Sequence, residues 1–268
     1  MSSDLHEGNR TWTPVVDSRS SQYQNYAALH YSKMYSFDEA EYRRMARKYR
    51  WQYRSLLPKN KDAAILDVGC GVGHFLRMLQ EDGYSNCSGV DLSPDQVEIC
   101  RTRVNARVHL GDAMAYLAER PLSADWIVCM HLIEHLSLDQ GRSFVRIVYD
   151  ALRPGGRFVL ATPNADSPWA GHCRFDDLTH VRLYTVRTLR ELCESVGLRF
   201  VSAHPEGAAP YDFITAVRWG LASILHLVRK FTFAIEIGPG RAKGNDLILT
   251  PGFIAAFRKN ENSSWADS

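Results

Sequence analysis

The sequence is short of several things. Its six cysteines (Cys70, Cys87, Cys100, Cys129, Cys173 and Cys193) form no C-x-x-C pair and no regular spacing. That argues against a disulfide framework or a cysteine-built zinc site and for buried thiols in a reducing, cytoplasmic setting. No stretch approaches the roughly 18 uninterrupted apolar residues of a membrane span, so none is expected. The N-terminus is polar and lacks a leader pattern. Net charge is only +2, which leaves no electrostatic case for a nucleic-acid partner. No internal repeat is present. With 268 residues, 45% of them hydrophobic, the chain can bury one large core with additions.

What the chain does have is concentrated between residues 64 and 75. Ala64-Ile65-Leu66 leads into Asp67, glycines follow at alternate positions (Gly69, Gly71, Gly73), and an amphipathic run begins at Phe75. The pattern predicts a buried parallel strand, a tight turn and a helix start. Glycines let the backbone approach a ligand closely, and the helix N-terminus presents free N–H groups to it. A dinucleotide fingerprint, G-x-G-x-x-G, fails in both registers, because its third glycine would fall on His74 or Leu76. Asp67 at the strand end suits a ligand with a cationic amino-acid end, since a carboxylate accepts hydrogen bonds from an ammonium.

Over Asp67 to Gly73 the stretch resembles motif I of the class I S-adenosylmethionine-dependent methyltransferases, close to D-x-G-C-G-x-G, and matches it in full. The resemblance implies a Rossmann-like α/β sheet of seven strands. It implies S-adenosylmethionine as methyl donor and S-adenosylhomocysteine as product. Cofactor contacts would come from Asp67, Gly69, Cys70, Gly71, Gly73 and Phe75. A second strand at 87–92 carries Asp91, where such folds set an acid on the ribose hydroxyls, with Leu92 beside it. Gly111-Asp112-Ala113, after a short third strand at 107–110, resembles the family's adenine-binding turn. A fourth strand at 125–132 brings Met130 and His131 to the cofactor, because ligands sit beyond strand carboxyl ends. The turn Arg153-Pro154-Gly155-Gly156 before a fifth strand at 157–162 resembles the same family.

The flanks are less standard. Residues 1–20 read as loose, and 21–35 are rich in tyrosine (Tyr23, Tyr26, Tyr31, Tyr35). Ser36-Phe37-Asp38-Glu39 has capping-box spacing and predicts a basic, aromatic helix to about Leu57. That helix reads as a nucleic-acid surface, or as an amphipathic helix with tyrosines inward and a solvated basic face. The resemblance adds a cap over the cofactor. Residues 163–184 read as a polar loop, followed by a helix from the Thr185 cap to about Val196 and a sixth strand at 198–203. An insertion then precedes a seventh strand at 253–258, antiparallel in the family. Its apolar stretch 211–237 is a helix that covers the core or a dimer partner, a membrane-surface helix, or a pocket lid.

Methyl transfer from a sulfonium is a displacement at carbon, so nucleophile, methyl and sulfur must be aligned. An oxygen nucleophile also needs a general base. His135 and His180 are the candidate bases, titrating near neutrality. Glu134 would orient His135 or bind substrate. Asp177-Leu178-Thr179-His180-Val181-Arg182 resembles the D-x-T-H-x-R segment of methyltransferases in bacterial surface-polysaccharide and sugar pathways. That resemblance implies a catalytic Asp177 and a sugar or glycan acceptor. His172, Asp176, Asp177 and His180 could also gather around a divalent metal, but histidine suits magnesium poorly and no metal is expected.

The expected organisation is a tail and helical cap at 1–58, a donor-binding core at 59–206, the apolar insertion at 207–250 and a last strand with tail at 251–268. The expected activity is O-methylation of a sugar or glycan. The alternatives are methylation of a small metabolite at O, N or C, as in ubiquinone-like or natural-product pathways, and a non-catalytic binding protein of the same fold. The expected setting is cytoplasmic, with peripheral membrane contact through 211–237 and a homodimer both open.

Overall fold

The computed structural model describes residues 36–238 and 247–261. Helix α1 (Glu39–Tyr53) precedes β1 (Ile65–Val68), α2 (His74–Glu81), β2 (Cys87–Asp91), α3 (Pro94–Arg103) and β3 (Arg107–Leu110). Then come α4 (Ala113–Ala118), β4 (Ala124–Met130), a 3-10 turn (Ile133–His135), α5 (Leu138–Ala151) and β5 (Leu152–Pro163). The chain continues with α6 (Ala170–Phe175), α7 (Val186–Glu194), β6 (Leu198–Glu206), α8 (Phe213–Glu236) and β7 (Gly252–Lys259). The strands make one seven-stranded sheet in the order β3-β2-β1-β4-β5-β7-β6. Strands β1 to β5 pair in parallel, and β7 pairs antiparallel to both β5 and β6. The strand order reverses between β1 and β4, which opens a crevice beyond their carboxyl ends.

All four residues of β1 are buried, as expected of a central strand covered on both faces. On one face Leu66, Val68, Ile127, Phe158 and Phe257 meet Phe144 and Val148 of α5 and Leu189 of α7. On the other, Ile65, Trp126, Val128 and Ile254 meet Phe75 and Leu79 of α2, with Tyr53 of α1. Each such fully buried side chain is worth roughly 1.5–3 kcal/mol relative to exposure. Several helices start where a side chain satisfies one of their first N–H groups. Ser137 with Gln140 and Thr185 with Thr188 form reciprocal capping boxes at α5 and α7.

Helix α1 is tied to the glycine turn. The buried Tyr42 hydroxyl donates to the Val72 carbonyl at 2.6 Å. Arg50 reaches Glu81 and Asp82, both at 2.6 Å, and Arg77 reaches Glu39 at 3.0 Å. The tyrosines of α1 therefore face inward and its cations outward, the amphipathic arrangement expected from the sequence.

Several boundaries differ from expectation. Helix α1 starts at Glu39, capped by Asp38 rather than Ser36; the Ser36 hydroxyl donates to Asp38, whose other oxygen takes the Glu41 N–H. The fifth strand runs continuously from Leu152 through the Pro-Gly-Gly turn, with a register shift between Ala124 and Trp126 absorbing the extra residues. The loop expected at 163–184 contains α6, and β6 extends to Glu206 because it stays paired with β7 that far. Helix α8 has no buried residue, so it does not cover the core. Tyr23, Tyr26, Tyr31 and Tyr35 lie outside the described residues. No described helix is long and apolar enough to cross a membrane.

Candidate active site

The turn after β1 is shaped by backbone that only glycine adopts easily. Gly69, Gly71 and Gly73 have φ of +74°, +53° and +85°. A Cβ on Gly71 would also meet the Gln96 side chain at 2.8 Å. The Gly71 N–H donates to Oδ2 of Asp91 at 2.8 Å, and the Ser93 N–H donates to Oδ1 at 2.9 Å. Asp91 is thus fixed at the end of β2, each oxygen retaining lone-pair capacity for a hydroxyl. Burial pushes its carboxyl up, opposed by those backbone bonds.

Asp67 is fully buried, and neither of its carboxylate oxygens has a hydrogen-bond partner among the described residues. Such a group is costly unless something pairs it. Burial, with the Asp91 charge nearby, pushes it up to about 8. A ligand carrying an ammonium would satisfy both oxygens. The glycine turn, the orphaned Asp67 and the braced Asp91 therefore fit S-adenosylmethionine. Asp112 caps α4 by accepting from the Ala115 N–H at 2.8 Å, and Ala113 begins that helix. Leu92 and Met130 are half-buried at the ends of β2 and β4.

Three expected cofactor residues make other contacts within the protein. Phe75 packs against Tyr49 and Tyr53, ring centroids 5.6 and 5.2 Å away, and belongs to the core under α1. A helix residue this close to its N-terminus turns to the apolar side because α1 covers it. His131 leaves β4 with φ +54°. Its ring bridges Oε1 of Glu134 at 3.2 Å and Oε1 of Glu206 at 3.0 Å. Burial works against a charged ring, but the two carboxylates outweigh it and lift His131 well above 6.5. His131 is therefore an ion-pair centre at a cavity wall. Cys70 packs its thiol over Gly89 of β2, behind the turn.

The acceptor-side candidates converge after β4. Glu134 is buried and accepts from the Thr162 hydroxyl at 3.1 Å. Burial opposes its ionisation, yet His131 holds its carboxyl below the usual range. Its backbone carbonyl accepts the N–H groups of Val181 and Arg182 at 2.8 and 3.0 Å, which pins the 164–184 excursion to the end of β4. That brings Asp177, Thr179 and His180 to His135. The Thr179 hydroxyl donates to Oδ1 of Asp177 at 2.6 Å, so it accepts from Nδ1–H of His135 at 2.9 Å. That bond puts the lone pair of His135 on Nε2. Burial, with His180 nearby, lowers the pKa of His135 below 6.5. The ring of His180 lies 4.9 Å from that of His135, and its Nδ1 bonds the Cys173 carbonyl at 2.6 Å.

Among the described residues, Glu134, His135 and His180 have one potential metal-ligand atom each within 4.8 Å of one another. Of the four residues singled out from the sequence for a metal, only His180 is in this group. Thr179, Glu206, Thr162 and Tyr42 were given no role from the sequence. Thr179 alone had a local signal: it follows Asp177 by two residues, the spacing at which an Asp side chain bonds its own chain ahead. A cavity of about 400 Å³ extends from His131 and Glu206 past Tyr211 to Lys48 of α1 and Arg218 of α8.

The family of methyltransferase domains matches residues 37–203. Over 122 residues the chain is 31% identical to a ubiquinone biosynthesis O-methyltransferase of Xanthomonas euvesicatoria pv. vesicatoria, covering 43% of this chain and 49% of that one. It is 30% identical over 104 residues to the mitochondrial ubiquinone biosynthesis O-methyltransferase of Schizosaccharomyces pombe, covering 37% of each. The match thus spans half or less of these relatives. Among solved structures, a methyltransferase of Archaeoglobus fulgidus aligns with TM-score 0.56 and 24% identity, over 79% of this chain and 92% of that one. One from Mesorhizobium loti aligns with TM-score 0.55 and 20% identity, over 77% and 95%.

Proposed function

We infer the reaction from the premise that the chain belongs to the family of methyltransferase domains: it transfers a methyl group from S-adenosylmethionine to the oxygen of a small metabolite. When bound, the donor supplies an electrophilic methyl on a sulfonium. The chain's part is to hold the donor and to handle the acceptor proton. Asp67 would accept from the ammonium, the glycine turn would admit the amino-acid end, and Asp91 would take the ribose hydroxyls. His135 would receive the acceptor's proton at Nε2, while Thr179 holds the ring's other nitrogen and Asp177 holds Thr179.

The single observation behind an O–H acceptor is that contact chain, Asp177 to Thr179 to His135. A hydroxyl needs a base as it attacks, and a neutral histidine with a fixed tautomer provides one. The relatives named above are O-methyltransferases of ubiquinone biosynthesis, which supports a small-metabolite acceptor. The sugar or glycan acceptor rests on the Asp177 to Arg182 resemblance alone. The six free thiols support a reducing, cytoplasmic setting.

The test is a panel of phenols and catechols, aliphatic alcohols and monosaccharides offered with labelled donor. Transfer to small-molecule hydroxyls, lost in His135→Gln, is expected. Transfer only to sugars would return the acceptor to the glycan class. Donor binding with no transfer to any class would leave a non-catalytic protein of this fold.

A further inference from the structure

Helix α8 is amphipathic with its apolar side turned outward. It is 24 residues long and none is buried. At 100° per residue, Phe213, Ile214, Leu221, Leu227, Phe231 and Ile235 share an arc of roughly 140°. Phe213 is 83% exposed and Leu227 70%. Arg218, His226, Arg229 and Lys230 occupy the remaining arc. Trp219, on that second arc, meets Trp51 of α1 edge-on with centroids 6.4 Å apart. Just before the helix, Tyr211 lies under the guanidinium of Arg47 of α1 at 5.9 Å. The helix is therefore anchored to α1 at its start by its polar side, and no described residue covers the apolar one.

We propose that α8 docks this protein on an anionic lipid surface, lying in the plane of the interface with the Phe213–Leu227–Phe231 side immersed. Three observations point to lipid. Charge comes first: residues 213–235 contain no acid, and Arg218, Arg229 and Lys230 are joined by Arg47 of the adjoining α1, over Tyr211, and by Arg54 just past its end, over Trp51. A chain with net charge of only +2 has gathered cations beside a long exposed apolar face. Width comes second. The apolar arc is too broad for a two-helix seam, and a symmetric pair of such helices would also bring like charges together. Length and polarity come third: the arginines and lysine within the helix forbid crossing a bilayer but suit lying on it, their stems on the apolar side and heads in the headgroups. The reading is independent of the acceptor.

Co-sedimentation of the full chain with vesicles tests it. Binding to phosphatidylglycerol-containing vesicles is expected, with little to pure phosphatidylcholine, and roughly tenfold weaker binding at about 0.5 M salt. Leu227→Glu with Phe231→Glu, and separately Arg229→Glu with Lys230→Glu, should each lower affinity at least tenfold while leaving donor-induced thermal stabilisation intact. Should a variant fail to fold, hydrogen exchange on the unaltered protein decides. Anionic vesicles must slow exchange in 213–236, and unchanged exchange there overturns the proposal. So does equal binding to both vesicle types. A dimer abolished by Leu227→Glu with Phe231→Glu, without vesicle binding, assigns the face to a second copy instead.

Discussion

The hydroxyl of Thr179 stands 2.9 Å from Nδ1 of His135. Its own proton goes to Asp177, so it can only receive from the ring, and it fixes which nitrogen is basic. Thr179→Val keeps the shape and removes the acceptor. Turnover is expected to fall roughly tenfold, a part of what a general base contributes, with donor affinity unchanged. Thr179→Ser should restore most of it. Full turnover in the valine variant, measured with the preferred acceptor, would remove Thr179 from proton handling.

The pH profile follows from the same contacts. Burial, then His180, lowers the pKa of His135, while Glu134 and Asp177 raise it. The base works when unprotonated, so the acid limb of kcat should lie below the ordinary 6.5, with a plateau at neutrality. Asp177→Asn removes one anion. The limb should then move to still lower pH and the plateau should drop, as read from kcat against pH. A limb moving upward contradicts the assignment.

Donor binding should release a proton. Asp67 in the free protein is held near 8 by burial, and an ammonium beside it favours the carboxylate. Affinity should therefore rise with pH up to about 8 and fall below it, by as much as tenfold per unit. Asp67→Asn should flatten that dependence and weaken binding. Calorimetry in buffers of different ionisation heat reads the proton directly, and identical heats in all of them would refute the pairing.

Asp91→Asn leaves a neutral group in place of the carboxylate proposed to take the ribose hydroxyls and disturbs the Gly71 bond. Donor affinity should drop at least tenfold, the scale of one or two lost charge-assisted hydrogen bonds of about 1.5–3 kcal/mol each. Thermal unfolding of the variant without donor should stay close to the unaltered protein.

The His131–Glu206 pair makes stability depend on pH in a defined window. Burial opposes the charge on Glu206, but His131 holds its carboxyl at about 2, against an ordinary 4.5. That contribution is complete above 4.5 and lost as pH falls through about 2. His131, lifted well above 6.5, contributes fully below 6.5 and loses its contribution as pH rises through its raised value. Glu206→Gln should therefore lower the melting temperature most between pH 4.5 and 6.5. A deficit that grows steadily above pH 7 would contradict the pairing.

The sheet and the glycine turn were legible because their signals are local. Asp67 to Gly73 dictates a strand, a glycine turn and a helix within a few residues, and Asp91 follows at the next strand end. The Thr185 cap of α7 was equally plain. The packing of Phe75 was hidden because its neighbours come from α1, over twenty residues earlier, and no local pattern reports it. The ion pairing of His131 was hidden because its partner Glu206 is 75 residues away on a strand expected to stop at Ala203. The union of His135 with Thr179 was hidden for the same reason, since it is made by main-chain bonds across the 164–184 excursion. The outward face of α8 inverts the usual rule that apolar sides turn inward, so the apolar content of 211–237 marked a helix and could not say which way its apolar side looked.

The excursion hangs from Glu134 by the Val181 and Arg182 amides, contacts that any residue but proline could preserve at those positions. Its tip residues Phe175 and Leu178 project into solvent. Evolution can thus rewrite the tip to suit a new molecule while the hook at Glu134 keeps Thr179 and His135 in register. Selectivity and chemistry here are separable inheritances.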